Sequence, residues 1–155
     1  MGGTRDGVDG PLTLNSVVPW GRSFDEYCRM FALRSVDLAG RILGCGDGPA
    51  SFNAELTARG GRVVSADPLY SITASEIESR IADARDRVVA NTRRNLDAYR
   101  WDVIPSLDEL CMIRMSAMTR FLEDFNSESA TSRYSPTGLP ELPFATQSFD
   151  LVLCS

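Results

Sequence analysis

A loop with three glycines in five residues, GCGDG at 44–48, most limits what this chain can fold into. The apolar run Arg41–Leu43 precedes the loop, and Pro49 follows it where a helix would begin. Proline is favoured in the first turn of a helix and glycine just past its end. This chain has Gly60 and Gly61 where the helix would end. A second apolar run, RVVSADP, then ends at Asp67. Strand, glycine turn, helix and strand form a βαβ unit, whose crossover favours parallel pairing of the two strands.

The chain after this unit predicts a helical insert and two further strands. Apolar residues at steps of three and four predict two helices within residues 71–127, separated by Pro105. Arg133–Ser135 predicts a brief third strand, and the apolar run Phe149–Cys154 predicts a fourth strand buried on both faces. The expected fold class is α/β: a Rossmann-like, three-layer αβα domain with a mostly parallel, incomplete sheet of about four strands. The helical insert lies between its second and third strands.

The chain before the glycine loop predicts a tail and one helix. Residues 1–16 are rich in Gly, Asp and Thr, which predicts a mobile N-terminal tail. Ser23 and Glu26 match the S-x-x-E pattern of a capping box, so a helix is expected to begin at Phe24. Residues 17–155 are expected to form one domain.

The composition removes several kinds of chemistry. All sixteen positive residues are Arg, and the chain has neither Lys nor His. Without His there is no Ser-His-Asp or Cys-His nucleophilic site, and without Lys there is no Schiff base and no P-loop lysine. No metal site is predicted, and the cysteines are expected to be reduced, because they form no CxxC pair. They are Cys28, Cys45, Cys111 and Cys154.

Charge and hydropathy limit the expected partners. The net charge is -5 and there is no dense basic stripe, so nucleic acid is not an expected partner. No apolar run reaches the roughly 18 residues of a membrane span, and the start of the chain lacks the apolar stretch of a secretory signal. We therefore expect a cytoplasmic protein that binds no membrane.

The glycine loop and Asp67 together indicate a nucleotide site. Glycines allow a tight turn and close approach of a ligand, and Asp67, nineteen positions after Gly48, can accept hydrogen bonds from both hydroxyls of a ribose. The dinucleotide pattern G-x-G-x-x-G would need Gly or Ala at Pro49, so the spacing G-x-G-x-G fits better. The alternatives are a structural glycine turn and a solvated Asp67.

Three segments in the same order resemble the class I S-adenosylmethionine-dependent methyltransferases: ILGCGDGPASF, DPLY and LPFATQSFDLVLCS. The resemblance covers most of the chain and implies the N-terminal portion of such an enzyme, truncated after the fourth strand. It also implies the strand order 3-2-1-4, S-adenosylmethionine as cofactor and a small-molecule methyl acceptor. The open edge of the fourth strand would then favour self-association.

The resemblance assigns cofactor-binding roles by position and leaves the catalytic residues unknown. The glycine loop would face the methionine end, Asp67 the ribose, and Pro68, Leu69 and Leu142 the adenine. Cys154 and Ser155 would lie near the transferable methyl group, and Arg22 would pair with the cofactor carboxylate. The loop residues concerned are Gly44, Cys45, Gly46, Asp47 and Gly48.

Two positions depart from the family pattern. Ile42 stands where an acid usually supports the methionine amino group, and Gly138 stands where an acid often contacts the adenine. Asp47 and Glu141 are candidate replacements, although neither fits in register.

Methyl transfer by in-line displacement depends mainly on alignment, so the lack of His and Lys is compatible with it. Because only about four strands are predicted where the family has more, cofactor binding by this chain is expected to be weak or absent, with little turnover. Two other functions stay open. One is a non-catalytic, degenerate methyltransferase-fold interaction module, and the other is an NAD(P)-dependent oxidoreductase, which Pro49 disfavours.

Overall fold

The computed structural model describes residues 18–155, in which helices and strands follow one another largely as the sequence predicts. The helices are α1 (Phe24–Met30), α2 (Ser35–Leu38), α3 (Phe52–Ala58), α4 (Ala74–Arg94) and α5 (Leu107–Phe125). The strands are β1 (Arg41–Cys45), β2 (Arg62–Ala66), β3 (Tyr134–Ser135) and β4 (Leu151–Cys154). The mobile tail predicted for residues 1–16 lies outside the described residues.

The four strands form one parallel sheet in the order β3-β2-β1-β4. The α/β fold class, the parallel sheet of about four strands and the predicted strand order are therefore confirmed. In register, Gly44 of β1 lies opposite Ser65 of β2, and Cys45 lies opposite Cys154 of β4. The strand order reverses at β1, and in such sheets ligands bind in the crevice at the carboxyl ends of the strands beside this point.

Helices α1 and α3 cover one face of the sheet. Ser23 caps α1 as predicted: its hydroxyl accepts from the Glu26 amide, and the Glu26 carboxylate accepts from the Ser23 amide at 2.9 Å. The helix buries Tyr27, whose ring stacks on Phe52 of α3 with centroids 4.6 Å apart. The core on this face is completed by Phe24, Ile42, Ala50, Leu56, Val63 and Leu153.

The opposite face is covered by the segment 136–150 in the part of the chain that the structure describes. Its apolar side chains pack against buried residues of β1 and β2; these side chains are Leu142, Phe144 and Phe149. They leave the same face of β4 open, so Val152 is 52% exposed while Leu153, on the other face, is buried. The prediction that β4 is buried on both faces is therefore wrong. Over residues 18–155, β4 is an edge strand, and self-association through it stays a prediction.

The helical insert packs beside α3 and β3. Ile77 and Ile81 of α4 pack with Met118 and Phe121 of α5 in a second core cluster, which also holds Tyr134 of β3. A bidentate ion pair joins α5 to α1, with the two terminal guanidinium nitrogens of Arg114 each 2.8 Å from a carboxylate oxygen of Glu26. Among residues 18–155, no helix has the length and apolar character that a membrane crossing needs.

Candidate functional site

Two glycines of the loop have backbone conformations that only glycine adopts easily. Gly46 and Gly48 have φ of 73° and 52°, in the left-handed region. A Cβ on Gly48 would meet only Asp67 Oδ2 within 4 Å, at 3.9 Å, so the space beside this residue is open. This geometry agrees with the expected close approach of a ligand to the loop.

Gly44 is needed for a different reason. A Cβ at this position would lie 2.5 Å from Asp47 Cγ and would overlap the carboxylate oxygens. The φ of Gly44 is not in the left-handed region, so the conformation itself would accept another residue. The Asp47 carboxylate folds back over Gly44 and fills the space that a side chain would occupy.

The Asp47 carboxylate lies inside the protein, beneath the loop. The residue is 6% exposed, and its Oδ1 accepts from the Tyr27 hydroxyl at 2.8 Å while Oδ2 accepts from the Ser65 hydroxyl at 2.6 Å. Burial raises the pKa of Asp47 to about 6, against the lowering effect of these two hydrogen bonds, and nearby Asp67 adds to the rise. The backbone of Asp47 is therefore part of the glycine loop, and its side chain is part of a hydrogen-bonded network inside the protein.

The raised pKa of Asp47 makes stability fall as the pH rises. The unfolded value is about 3.9, so between about pH 4 and pH 6 the folded chain binds the extra proton and the free energy of unfolding decreases with pH. A difference of about two pKa units corresponds to about 3 kcal/mol. We expect Asp47→Asn, which carries no charge, to be more stable than the wild type by about 1 to 3 kcal/mol at pH 7.5 and nearly equal to it at pH 4.5. Thermal unfolding followed by circular dichroism at both pH values checks this. A variant that is equally destabilised at both would contradict it.

Asp67 ends β2 beside the loop. Its Oδ2 accepts from the Gly48 amide and its Oδ1 from the Leu69 amide, both at 2.8 Å. The Tyr70 hydroxyl donates to the Gly48 carbonyl oxygen at 2.8 Å, so the loop and the turn after β2 hold each other in place. Each carboxylate oxygen of Asp67 has lone pairs beyond the one used here. Asp67 is thus a half-buried, pre-positioned acceptor next to the glycine loop.

The residues assigned to the adenine pack in different places, with Leu69 against the second core cluster. Pro68 lies beside Gly138, where a Cβ would be 3.1 Å from two carbons of the proline ring, which is a tight contact. Leu142 packs under the sheet with Leu43, Cys45 and Ala66. Glu141 is exposed, and its role as a replacement for the missing acid stays a prediction.

The end of β4 reaches the loop. The Ser155 amide donates to the Cys45 carbonyl oxygen at 3.1 Å, and the Ser155 hydroxyl lies 2.9 Å from the Tyr27 hydroxyl and 3.2 Å from the Gly46 carbonyl oxygen. Cys154 stands beside Cys45 on the opposite face of the sheet from Tyr27. Burial, and then the adjacent Cys154, raise the pKa of Cys45 to about 11, so this thiol is protonated at neutral pH.

Arg22 lies at the entry to α1, next to the start of α3. Its carbonyl oxygen accepts from the Ser51 amide at 3.0 Å, and its charge acts on nearby Tyr27. Within residues 18–155, its guanidinium forms no ion pair. A half-buried cation in this position is compatible with the predicted pairing to a ligand carboxylate.

The structure brings together Gly46, Gly48, Asp67 and Ser155 at the carboxyl ends of β1, β2 and β4. It places the side chains of Cys45 and Leu142 on the other face of the sheet. Sequence reasoning missed Tyr27, Ser65 and Tyr70, which fix the loop through their hydroxyls. For Tyr27 and Tyr70 the sequence signalled the core alone, because a tyrosine ring packs like phenylalanine and the partner of its hydroxyl is distant in sequence.

Comparison with known proteins gives one informative match. No family model and no solved structure matches the chain. The chain is similar to an uncharacterized protein of Methanocaldococcus jannaschii, with 30% identity over 143 residues. The match covers 92% of this chain, and the chain spans 64% of the length of that relative. The name of that relative states no function, so the match assigns none.

Proposed function

We propose that this chain is the S-adenosylmethionine-binding part of a methyltransferase that acts on a small molecule, with a cytoplasmic location. One observation carries the proposal: the Asp67 carboxylate accepts from the Gly48 amide at 2.8 Å, so the acid after β2 and the glycine loop after β1 form one site. This site lies beside the point where the order of the parallel strands reverses, which is where open α/β sheets bind ligands.

The residues present fit the cofactor in three respects. The open side of Gly48 and the positive φ of Gly46 allow the backbone to approach the methionine portion. The free lone pairs of Asp67 can accept the two ribose hydroxyls, and Arg22 can pair with the cofactor carboxylate. The cofactor would supply a methyl group already activated by a sulfonium, which leaves alignment of the acceptor to the protein.

Ligand-dependent stabilisation tests the proposal. A ligand that binds the folded chain at ten times its dissociation constant adds about 1.4 kcal/mol, so Tm should rise by about 3 to 6 °C in a chain of this size. Because weak binding is expected, ligand is added at concentrations on the order of millimolar. We expect S-adenosylmethionine and S-adenosylhomocysteine to raise Tm and NAD to leave it unchanged.

Asp67→Asn is the site variant for this experiment and Asp97→Asn is its control. The first removes the charge that would receive the ribose hydroxyls, so the rise in Tm should be lost. Asp97 is exposed in the connection between α4 and α5, so its variant should respond to the ligands like the wild type. A rise in Tm that is equal in both variants would contradict the assignment of Asp67.

A non-catalytic module is the second candidate, and one observation favours it. Ile42, at the position of the usual acid, is fully buried in the core, and the Asp47 carboxylate is occupied by Tyr27 and Ser65. Support for the methionine amino group must therefore come from elsewhere. Stabilisation by none of the three ligands would favour this candidate, and stabilisation by NAD alone would favour an oxidoreductase.

A further inference from the structure

Residues 19–23, which lead into α1, pack against the end of the glycine loop; we call them the entry segment. Gly21 is buried against Pro49, directly after the loop, and a Cβ on Gly21 would overlap the Pro49 carbonyl group. The Arg22 carbonyl oxygen accepts from the Ser51 amide at 3.0 Å, just before α3 begins. The position of the entry segment therefore determines where Arg22 lies relative to the candidate site.

The helical insert holds the entry segment through Arg114 of α5. Both terminal guanidinium nitrogens of Arg114 bind Glu26 at 2.8 Å, and one of them also lies 3.5 Å from the Gly21 carbonyl oxygen. The Glu26 carboxylate accepts from the Ser23 amide at 2.9 Å, so it joins Arg114 to the end of the same segment. Trp20 packs against the second core cluster, which contains residues of α4 and α5. The entry segment is thus attached to the insert on one side and to the glycine loop on the other.

The ion pair of Arg114 and Glu26 is buried, and it adds more to geometry than to stability. The two side chains are 11% and 9% exposed, and among residues 18–155 Nε of Arg114 has no hydrogen-bond partner. Loss of hydration offsets most of the attraction within a buried ion pair, so replacement of both charges by neutral side chains is often neutral or stabilising. The planar guanidinium fork nevertheless fixes the relative position of the groups that it binds.

Arg22 and Arg114 lie close enough for their charges to interact. Burial lowers the pKa of Arg114, the Glu26 carboxylate opposes this shift, and the charge of Arg22 adds to it. Glu26 pairs with Arg114, whereas no carboxylate in the described part of the chain pairs with Arg22. The positive charge left over among these three groups therefore belongs to Arg22, and a ligand carboxylate can neutralise it.

We propose that Arg114 is a positioning residue, which holds the entry segment so that Arg22 meets the carboxylate of a nucleoside with an amino-acid end; this rests on the proposed function. Arg114 acts through the segment and does not contact the ligand. The helical insert thereby takes part in ligand selection, because α5 determines where the segment lies. A nucleoside that lacks the amino-acid end gains nothing from Arg22, so its affinity does not depend on Arg114.

The preference for a ligand with an amino-acid end measures this role. S-adenosylhomocysteine and methylthioadenosine share the adenosine and the thioether, and only the first has the amino-acid end. Their dissociation constants are measured by NMR titration of the full chain, with ligand on the order of millimolar. We expect the wild type to bind S-adenosylhomocysteine about tenfold or more tightly, because of the ion pair with Arg22. Arg22→Gln should abolish this preference and leave the affinity for methylthioadenosine unchanged.

Arg114→Lys and the double variant Glu26→Gln/Arg114→Met test the positioning. An ammonium group cannot bind both Glu26 oxygens in the fixed geometry of a guanidinium. The double variant removes both charges together, so no unpaired charge is left buried and the chain is expected to fold. In both variants we expect the preference to fall by about three- to tenfold, with the affinity for methylthioadenosine unchanged. A folded double variant with the wild-type preference would overturn the positioning role.

Arg120→Lys is the matched control. Arg120 lies on the same helix and pairs with Glu55 of α3 at 3.1 Å, but its side chain is 58% exposed. We expect this variant to keep the wild-type preference, because solvent screens the pair. A fall in preference as large as that of Arg114→Lys would show a general effect of α5 and overturn the specific role of Arg114.

Amide hydrogen exchange tests the hold on the entry segment without any ligand. The Ser51 amide donates to the Arg22 carbonyl oxygen, whereas the Gly46 amide donates to the Ala66 carbonyl oxygen at the sheet, at 2.9 Å. In Arg114→Lys we expect exchange at Ser51 to quicken by about tenfold relative to Gly46, and in the control the ratio should not change. An unchanged ratio in Arg114→Lys would contradict the hold.

The outcomes separate this role from the proposed function. Binding of neither nucleoside by the wild type would contradict the proposed function and, with it, the part of Arg114 in ligand selection. Equal affinity of the wild type for both would contradict the pairing of Arg22 with the carboxylate, and thus the role of Arg114 as well. A wild-type preference that persists in both Arg114 variants would overturn the positioning role alone.

Discussion

Gly44→Ala is expected to lower the free energy of unfolding by about 3 kcal/mol or more, because the new Cβ would overlap the Asp47 carboxylate. The carboxylate cannot move aside without loss of its hydrogen bonds from Tyr27 and Ser65, and Asp47 is only 6% exposed, so water does not readily replace them. In a chain of this length the corresponding fall in Tm is about 6 to 12 °C. Denaturant unfolding and thermal unfolding of the purified variant measure it.

Removal of the carboxylate should rescue this variant. Asp47→Ala alone leaves a small void above Gly44, and the Gly44→Ala methyl group would fill it. We therefore expect Gly44→Ala/Asp47→Ala to be more stable than the sum of the single effects predicts, with a coupling energy of about 1 to 3 kcal/mol. Additive single effects would show that some other contact of Gly44 is responsible. Gly21→Ala is the comparison variant that no second substitution should rescue. Its Cβ would overlap the Pro49 backbone carbonyl, which no side-chain change removes.

Asp124→Ala should also destabilise the chain strongly, by about 3 to 5 kcal/mol. Asp124 on α5 forms a bidentate ion pair with Arg133, at 2.8 and 2.7 Å, and accepts from the Tyr134 hydroxyl at 2.6 Å. The side chains of Arg133 and Asp124 are only 12% and 21% exposed, so removal of Asp124 leaves a largely buried cation without its carboxylate. Burial opposes ionisation of Asp124, but the bonds from Arg133 and Tyr134 prevail and lower its pKa.

The matched control is an ion pair of similar geometry on the surface. Arg34 and Asp37 also pair through two guanidinium nitrogens, but the Arg34 side chain is 76% exposed. Arg34→Ala should leave Tm almost unchanged, because solvent screens the pair. Because the two ion pairs have similar geometry, a larger fall in Tm for Asp124→Ala than for Arg34→Ala is attributed to burial. Similar changes in Tm for Arg34→Ala and Asp124→Ala would contradict this account.

The buried ion pair also links the helical insert to the candidate site. Arg133 donates to Asn53 Oδ1 at 2.6 Å, and Asn53 donates to the Ser65 hydroxyl that bonds to Asp47. The insert therefore supports β3 and, through Asn53, the carboxylate beneath the glycine loop. Its core residues on α4 and α5 are consistent with this structural role.

Much of the fold could be predicted from local patterns. Ser23 and Glu26 are three residues apart, and the cap that they form needs only the first turn of a helix. The position of Asp67 relative to the glycine loop follows from the parallel pairing of the strands before them. The strand order came from the resemblance to methyltransferases, since pairing between distant strands leaves no local pattern.

The functions of single residues within the loop could not be predicted in the same way. Glycines 44, 46 and 48 look equivalent in the sequence, yet two of them serve the backbone conformation and Gly44 makes room for a carboxylate. Asp47 and Cys45 are neighbours of these glycines, but their side chains are buried on opposite faces of the sheet. The direction of a side chain depends on its strand position and on what packs there.

The sequence by itself determined the α/β class, the capped first helix and the βαβ unit that ends in Asp67, because these depend on residues close together in the chain. Only the tertiary structure decided that Tyr27, Asp47 and Ser155 form one hydrogen-bonded chain, since they come from α1, the glycine loop and the end of β4. It also decided that, within residues 18–155, one face of β4 is open. Burial and hydrogen bonding between distant segments depend on which surfaces meet, and that is settled only when the strands and helices have packed together.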